Sequence, residues 1–142
     1  MSIAENVARV RREMEEAAIR CGRDPKSIKL CAATKMNDAD AVRQAIAAGV
    51  DCCGENRVQE LTAKLAENAY EGAPVHFIGH LQTNKVKQVV GKVDLIQSVD
   101  SLRLLRANSR HKESNAEGVD AENYRERYII SGRKSVCAYA YH

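Results

Sequence analysis

Four short apolar runs, each followed by a stretch with helical spacing, constrain this chain more than any other feature. The runs are Ile28 to Ala33, Val50 to Gly54, Val75 to Gly79 and Val93 to Val99. The first is mostly apolar rather than alternating, which suits a strand buried on both faces. Behind it, Asn37 and Asp38 offer an N-cap, Ala41, Val42, Ala45 and Ile46 form a helical stripe, and Gly49 closes it. Val58 to Ala69 repeats the pattern with Leu61 and Leu65 inward. Asn84 can cap a helix carrying Val86, Val89 and Val90, stopped by Gly91, and Leu102, Leu104 and Leu105 follow the fourth run. A helix precedes the series: Ile3, Val7, Val10, Met14, Ala17 and Cys21 recur every three or four residues, Ser2 and Glu5 make a capping box, and Gly22 ends it. The order is one helix, then βα four times. Strands separated by helices require right-handed crossovers and parallel pairing, so the class is α/β.

Two architectures satisfy that order. A doubly wound sheet can close within 142 residues, whereas a complete (β/α)8 barrel needs roughly 250. The doubly wound reading calls for a phosphate-binding glycine loop, and neither G-x-G-x-x-G nor G-x-x-x-x-G-K-[ST] occurs. After about Ala107 the chain turns polar, with only Tyr128 to Ile130 and Val136 to Tyr141 resembling strands; this tail is disordered, a short extra hairpin, or foreign to the domain. A net charge of +3 gives no reason to expect nucleic acid or an anionic membrane as partner. No run approaches the ~20 apolar residues of a membrane span, and the amphipathic start is unlike a signal peptide, so a cytoplasmic location is expected. Five Cys, with Cys52 and Cys53 adjacent and no C-x-x-C, argue against a disulfide framework or a zinc site.

The residues that can carry chemistry cluster at the carboxyl ends of the runs, where both architectures place their sites. Lys35 ends LCAATK. Held against apolar neighbours, its ammonium would lose hydration and become a better nucleophile, able to form a Schiff base; the alternative is a lysine that snorkels to water. Asn56, after Gly54 and Glu55, either faces a ligand or caps the next helix. His76 is either a ligand contact or an ordinary strand residue. His76 and His80 do not suit a metal, since a strand sets them about 13 Å apart. Asn84, Lys85, Lys87 and Lys92 form either a phosphate-attracting patch or a solvated face. No G-x-S-x-G elbow exists for a serine hydrolase, and Cys52-Cys53 has no evident base.

Taken together, LCAATK, DCCGENRVQEL from Asp51, HFIGHLQTNKVKQVVG from His76 and DLIQSVDSLRLL from Asp94 resemble the pyridoxal phosphate homeostasis protein family, over about residues 1 to 106 and in order. The resemblance implies the alanine-racemase-like, TIM-type (β/α) barrel of fold type III PLP proteins, of which residues 1–106 would supply about the first half. It further implies that Lys35 carries pyridoxal 5'-phosphate (PLP) as a Schiff base, and that Asn56 and His76 are cofactor-binding residues, one near the ring and one at the pocket rim. Thr34 stands where many members have Ser, and Asp38 where many have Pro. The family acts chiefly as a PLP carrier in vitamin B6 and amino-acid homeostasis, without established turnover.

Residues 107–142 depart from the family pattern. The G-x-S-x-D and R-I-G segments that anchor the PLP phosphate are absent, and the break after Arg106 reads as a truncated or frame-shifted sequence. A half barrel would expose the edges of its first and fourth strands and invite self-association. Two further readings stay open: a fold type III amino-acid racemase acting through Lys35, and a fragment without function.

Overall fold

The computed structural model describes the backbone of residues 1–115 and 137–140, and side chains as far as residue 111. Helix α1 (Ile3–Arg20) starts on the expected capping box, with Ser2 and Glu5 each bonding the other's backbone amide. Its buried residue is Ala18, while Ala17 and Cys21 are exposed, so the stripe drifts from its expected line near the end. Then follow β1 (Cys31–Ala33), α2 (Ala39–Ala47), β2 (Cys52–Glu55), α3 (Val58–Ala66), β3 (Val75–Phe77), β4 (Leu95–Val99), α4 (Leu102–Asn115) and β5 (Cys137–Ala140). Asp38 caps α2 by accepting from the Ala41 amide. Gly22, Gly49 and Gly91 all take positive φ after helical turns, the left-handed geometry that glycine adopts without a Cβ penalty.

Strands β1 to β4 pair in parallel and in chain order. That order separates the two architectures, because a doubly wound sheet reverses direction at a switch point and a barrel does not. The fold is therefore a set of consecutive parallel (β/α) units of the TIM type, behind an N-terminal helix. Two aspartates set the register from the strand starts. Asp51 Oδ2 accepts from the Leu30 amide at 2.6 Å, and Asp94 Oδ2 accepts from the Val75 amide at 2.8 Å. Arg11 of α1 reaches Asp51 at 2.8 Å and ties that helix to the sheet.

The core lies on the helix side of the sheet. Cys53, Phe77 and Ile96 meet Val42 of α2, Leu61 of α3, Val86 and Val89 of the segment after β3, and Leu104 of α4. Full burial of such side chains contributes about 1.5–3 kcal/mol each.

Several sequence expectations change in detail. Ile28 to Leu30 lies outside β1, and the strand is only partly covered, with Cys31 and Ala32 half-buried and Ala33 exposed. The helix expected to run to Ala69 ends at Ala66. The stretch behind Asn84 is a 3-10 helix, Thr83–Gln88, without a side-chain cap; Gln82, not Asn84, precedes it. Helix α4 continues past Ala107 through Asn115 and buries Ala107 and Asn108, the latter with no hydrogen-bond partner for its amide atoms among the described residues. Strand β5, within the strand-like Val136 to Tyr141, pairs antiparallel with β4 through one bulge. The edge of β4 is therefore covered rather than exposed. Tyr128 to Ile130 lies outside the described residues.

Candidate functional site

The carboxyl end of the sheet gathers the residues singled out in the sequence. Ala33, Gly54, His76 and Leu95 stand in one row across β1 to β4. Lys35 and Asn56 follow two residues beyond that row on their own strands.

Lys35 sits in the turn after β1 and is exposed. Its ammonium makes no hydrogen bond or ion pair among the described residues, and the β1–α2 turn carries it out to solvent, the second of the two placements the sequence left open. The backbone around it is nevertheless held firmly, and from one helix. Lys64 Nζ of α3 donates to the Thr34 carbonyl at 2.6 Å. Glu60 Oε2, one turn earlier, accepts from the Met36 amide at 2.8 Å, and that amide holds the Glu60 carboxyl below the usual carboxylate range. Met36 is at φ 60, a conformation uncommon for a residue with a side chain. The residues on either side of Lys35 are thus clamped while its own side chain is free.

Behind the clamp is a buried polar cluster. Glu55 Oε1 accepts from Thr34 Oγ1 at 2.6 Å, Lys64 Nζ at 2.7 Å and Tyr70 Oη at 3.0 Å. Glu55 is fully buried and Lys64 nearly so. Burial and the adjoining Glu55 carboxylate push the Tyr70 phenol up, so it stays a donor. Oε2 of Glu55 has no partner among the described residues. Sequence reasoning passed over Glu55 and Lys64; the signal was a glutamate at an inward strand position and a lysine on the inward line of α3.

Asn56 does not cap α3. Arg57 precedes the helix, and no side chain bonds its first amides. The Asn56 Oδ1 atom is buried without a hydrogen-bond partner, an acceptor left open beside the site. The Asn56 carbonyl lies 2.1 Å from where a Cβ on Gly79 would stand, so only glycine lets the β2 and β3 ends approach this closely. A cleft of about 190 Å³ next to Asn56 is lined in part by Arg57, His80, Gln82 and Lys85. Lys85 thus leaves the expected patch to face this cleft, while Asn84 lines a separate one with Arg103 and Arg110.

His76 is half-buried, its Nδ1 2.9 Å from Gln97 Nε2 and 3.8 Å from Cys52 Sγ. Burial holds the imidazole below its ordinary pKa. The base missing from the sequence around Cys52 is therefore present, but burial pushes that thiol up to about 12 and Cys53 up to about 11. Neither is a thiolate nucleophile near neutral pH. Lys35, Asn56 and His76 share one end of the sheet, and no hydrogen bond among the described residues links them.

Parallel (β/α) units in sequential order, with polar side chains gathered at the strands' carboxyl ends, define a protein of the (β/α)-barrel class. The chain is 39% identical over 139 residues to the pyridoxal phosphate homeostasis protein of Pseudomonas aeruginosa, a match taking in 96% of this chain and 59% of that protein. It belongs to the pyridoxal phosphate homeostasis protein family, and it spans about half the length of the curated relatives it matches. The protein of that name from Escherichia coli (strain K12) is 43% identical over 105 residues, covering 72% of this chain and 45% of that one. The Pseudomonas match thus enters the segment beyond Arg106, where the sequence suggested no family counterpart.

Among solved structures, an unknown protein from Bifidobacterium adolescentis superimposes with a TM-score of 0.74 and 39% identity over 80% of this chain and 50% of that one. PipY of Synechococcus elongatus PCC7942, solved with PLP bound, gives a TM-score of 0.61 and 39% identity over 72% of this chain and 49% of its own. A scan against protein-family models returns no match. Among the described residues, no helix is long and apolar enough to cross a membrane.

Proposed function

We propose that this chain binds PLP at the carboxyl end of its parallel strands, with Lys35 as the attachment site, and serves PLP and amino-acid homeostasis in the cytoplasm. PLP contributes an aldehyde that condenses reversibly with an amine. The observation that carries the reading is the clamp on Thr34 and Met36, which fixes the backbone on both sides of an amine with no competing partner among the described residues. Lys35 offers the amine as a Schiff-base former. Asn56 brings an unused acceptor and His76 a neutral imidazole to the same end of the sheet. Arg57 and Lys85 give the cleft beside Asn56 a positive lining suited to a phosphate. The relative solved with PLP supports the ligand, and the shared family name supports the homeostatic role. Residues 1–106 act as the PLP-binding unit in this reading.

A visible-absorption titration with PLP tests it. The expected result is a saturable imine band in the wild type that is absent in both Lys35→Ala and Lys35→Arg. Arg keeps the charge but does not form a comparable imine. A band unchanged in Lys35→Ala would overturn the assignment.

A further inference from the structure

Cys31, Cys52 and His76 come from three neighbouring strands, yet their ligand atoms all lie within 4.8 Å of one another. Register explains the grouping. Cys31 is the direct partner of Cys52 across β1 and β2, and His76 is the partner of Gly54, two residues beyond Cys52. Side chains two apart on a strand, and directly paired across strands, leave the same face. This face is opposite the one on which Cys53 and Phe77 enter the core.

Zinc bonds of about 2.3 Å to thiolate sulfur and about 2.0–2.1 Å to imidazole nitrogen place neighbouring tetrahedral ligand atoms about 3.5–3.8 Å apart. Cys52 Sγ and His76 Nδ1, at 3.8 Å, already have that spacing. The widest separation in the trio has to close by only about 1 Å, within reach of a χ1 adjustment.

We propose that Cys31, Cys52 and His76 form a binding site for a thiophilic d10 cation, zinc(II), on the face of the sheet opposite Cys53 and Phe77. Two sulfurs and one imidazole favour zinc over oxygen-seeking cations such as magnesium or calcium. The three protein ligands leave a fourth position for water or a small donor. On binding, each thiol gives a proton to solvent, so two protons leave as two Zn–S bonds form. Gln97 Nε2 approaches the same His76 nitrogen at 2.9 Å and must turn aside for Nδ1 to bind the metal. The absence of C-x-x-C argued against such a site, but that rule counts residues along the chain. These ligands are more than twenty residues apart and are brought together by one strand of each successive βα unit. The proposal shares His76 with the PLP reading but uses neither Lys35 nor Asn56, and zinc uptake is read without PLP, so failure of one does not decide the other.

The test is titration of the full reduced chain with zinc(II) against a chromophoric chelator, with cobalt(II) as a spectroscopic substitute. One zinc per chain and a thiolate-to-cobalt charge-transfer band are expected. Cys31→Ser and Cys52→Ala should lose the band and weaken zinc binding by roughly 10- to 100-fold or more, while the exposed Cys21→Ser leaves both unchanged. Gln97→Ala, which removes a competitor for the imidazole, should bind more tightly; this gain cannot arise from misfolding. Far-UV circular dichroism identifies any variant that fails to fold, and Cys31→Ser, on a half-buried edge strand, decides if Cys52→Ala does. No zinc uptake by the wild type, or uptake and band unaltered in Cys31→Ser, would overturn the proposal.

Discussion

The two faces of one sheet differ in how completely their chemistry is used up. On the helix side, Cys53, Glu55, Phe77 and Ile96 are fully buried, and the one charged group among them engages three donors through Oε1, with only its Oε2 left without a partner among the described residues. On the other face, Cys31 and His76 are only half-covered, while Lys35 at the strand end and the Asn56 acceptor lack partners among the described residues. The same strands thus supply stability through one set of alternate residues and unspent ligand capacity through the other. The contrast predicts that damage to the first face is read in stability, and damage to the second in binding.

The largest effect should come from splitting the buried ion pair. Lys64→Ala leaves the Glu55 carboxylate buried without its cation and should cost about 3–5 kcal/mol in urea unfolding. It also removes the bond to the Thr34 carbonyl, so PLP attachment at Lys35 should weaken in any fraction that folds. Leu61→Ala, at a fully buried position of α3, should cost about 2–5 kcal/mol with no selective effect on the Lys35 turn. A loss below ~1 kcal/mol for both would erase the distinction between the faces.

Gly79→Ala comes next. A Cβ there would overlap the Asn56 carbonyl, and about 1–3 kcal/mol of strain is expected. Because the overlap lies at the site end, this variant should also disturb binding, linking the two faces.

A smaller effect is expected from pH. Burial holds the folded His76 imidazole below its ordinary 6.5, so the unfolded chain takes up the extra proton first. The stability contributed by the neutral ring is complete above about pH 6.5 and is lost as pH falls through the folded value. His76→Gln should flatten that part of a stability–pH curve measured with chelator present; an unchanged slope would show that His76 does not contribute. The smallest effect belongs to Lys35→Ala, which should alter stability by no more than about 0.5 kcal/mol, because the side chain is exposed.

The sequence made the repeating architecture readable because caps and helix closures are local. Ser2 with Glu5, Asp38, Gly22, Gly49 and Gly91 act where their spacing suggests. Lys35 could be found because strand ends are where (β/α) folds expose functional groups. What stayed hidden depends on pairing across strands. Glu55 looked like a neighbour of Asn56 rather than the centre of a buried cluster, since nothing local says that Lys64 and Tyr70 return to it. The approach of Cys31, Cys52 and His76 follows from register, which single-strand spacing does not contain. Val86, Val89 and Val90 make a pattern that fits an α-helix, yet Thr83–Gln88 folds as a tighter 3-10 segment that buries Val86.

Helix α3 sets one surface lysine apart from the rest by fixing the backbone around it. Incubating the full chain with PLP, reducing with borohydride and mapping pyridoxyl peptides by mass spectrometry checks this, with Lys35→Ala and Glu60→Ala, which removes the acceptor for the Met36 amide, alongside. One dominant adduct at Lys35 is expected in the wild type, with no replacement site in Lys35→Ala and reduced selectivity in Glu60→Ala. Label spread evenly over Lys26, Lys87, Lys92 and Lys35 would contradict it.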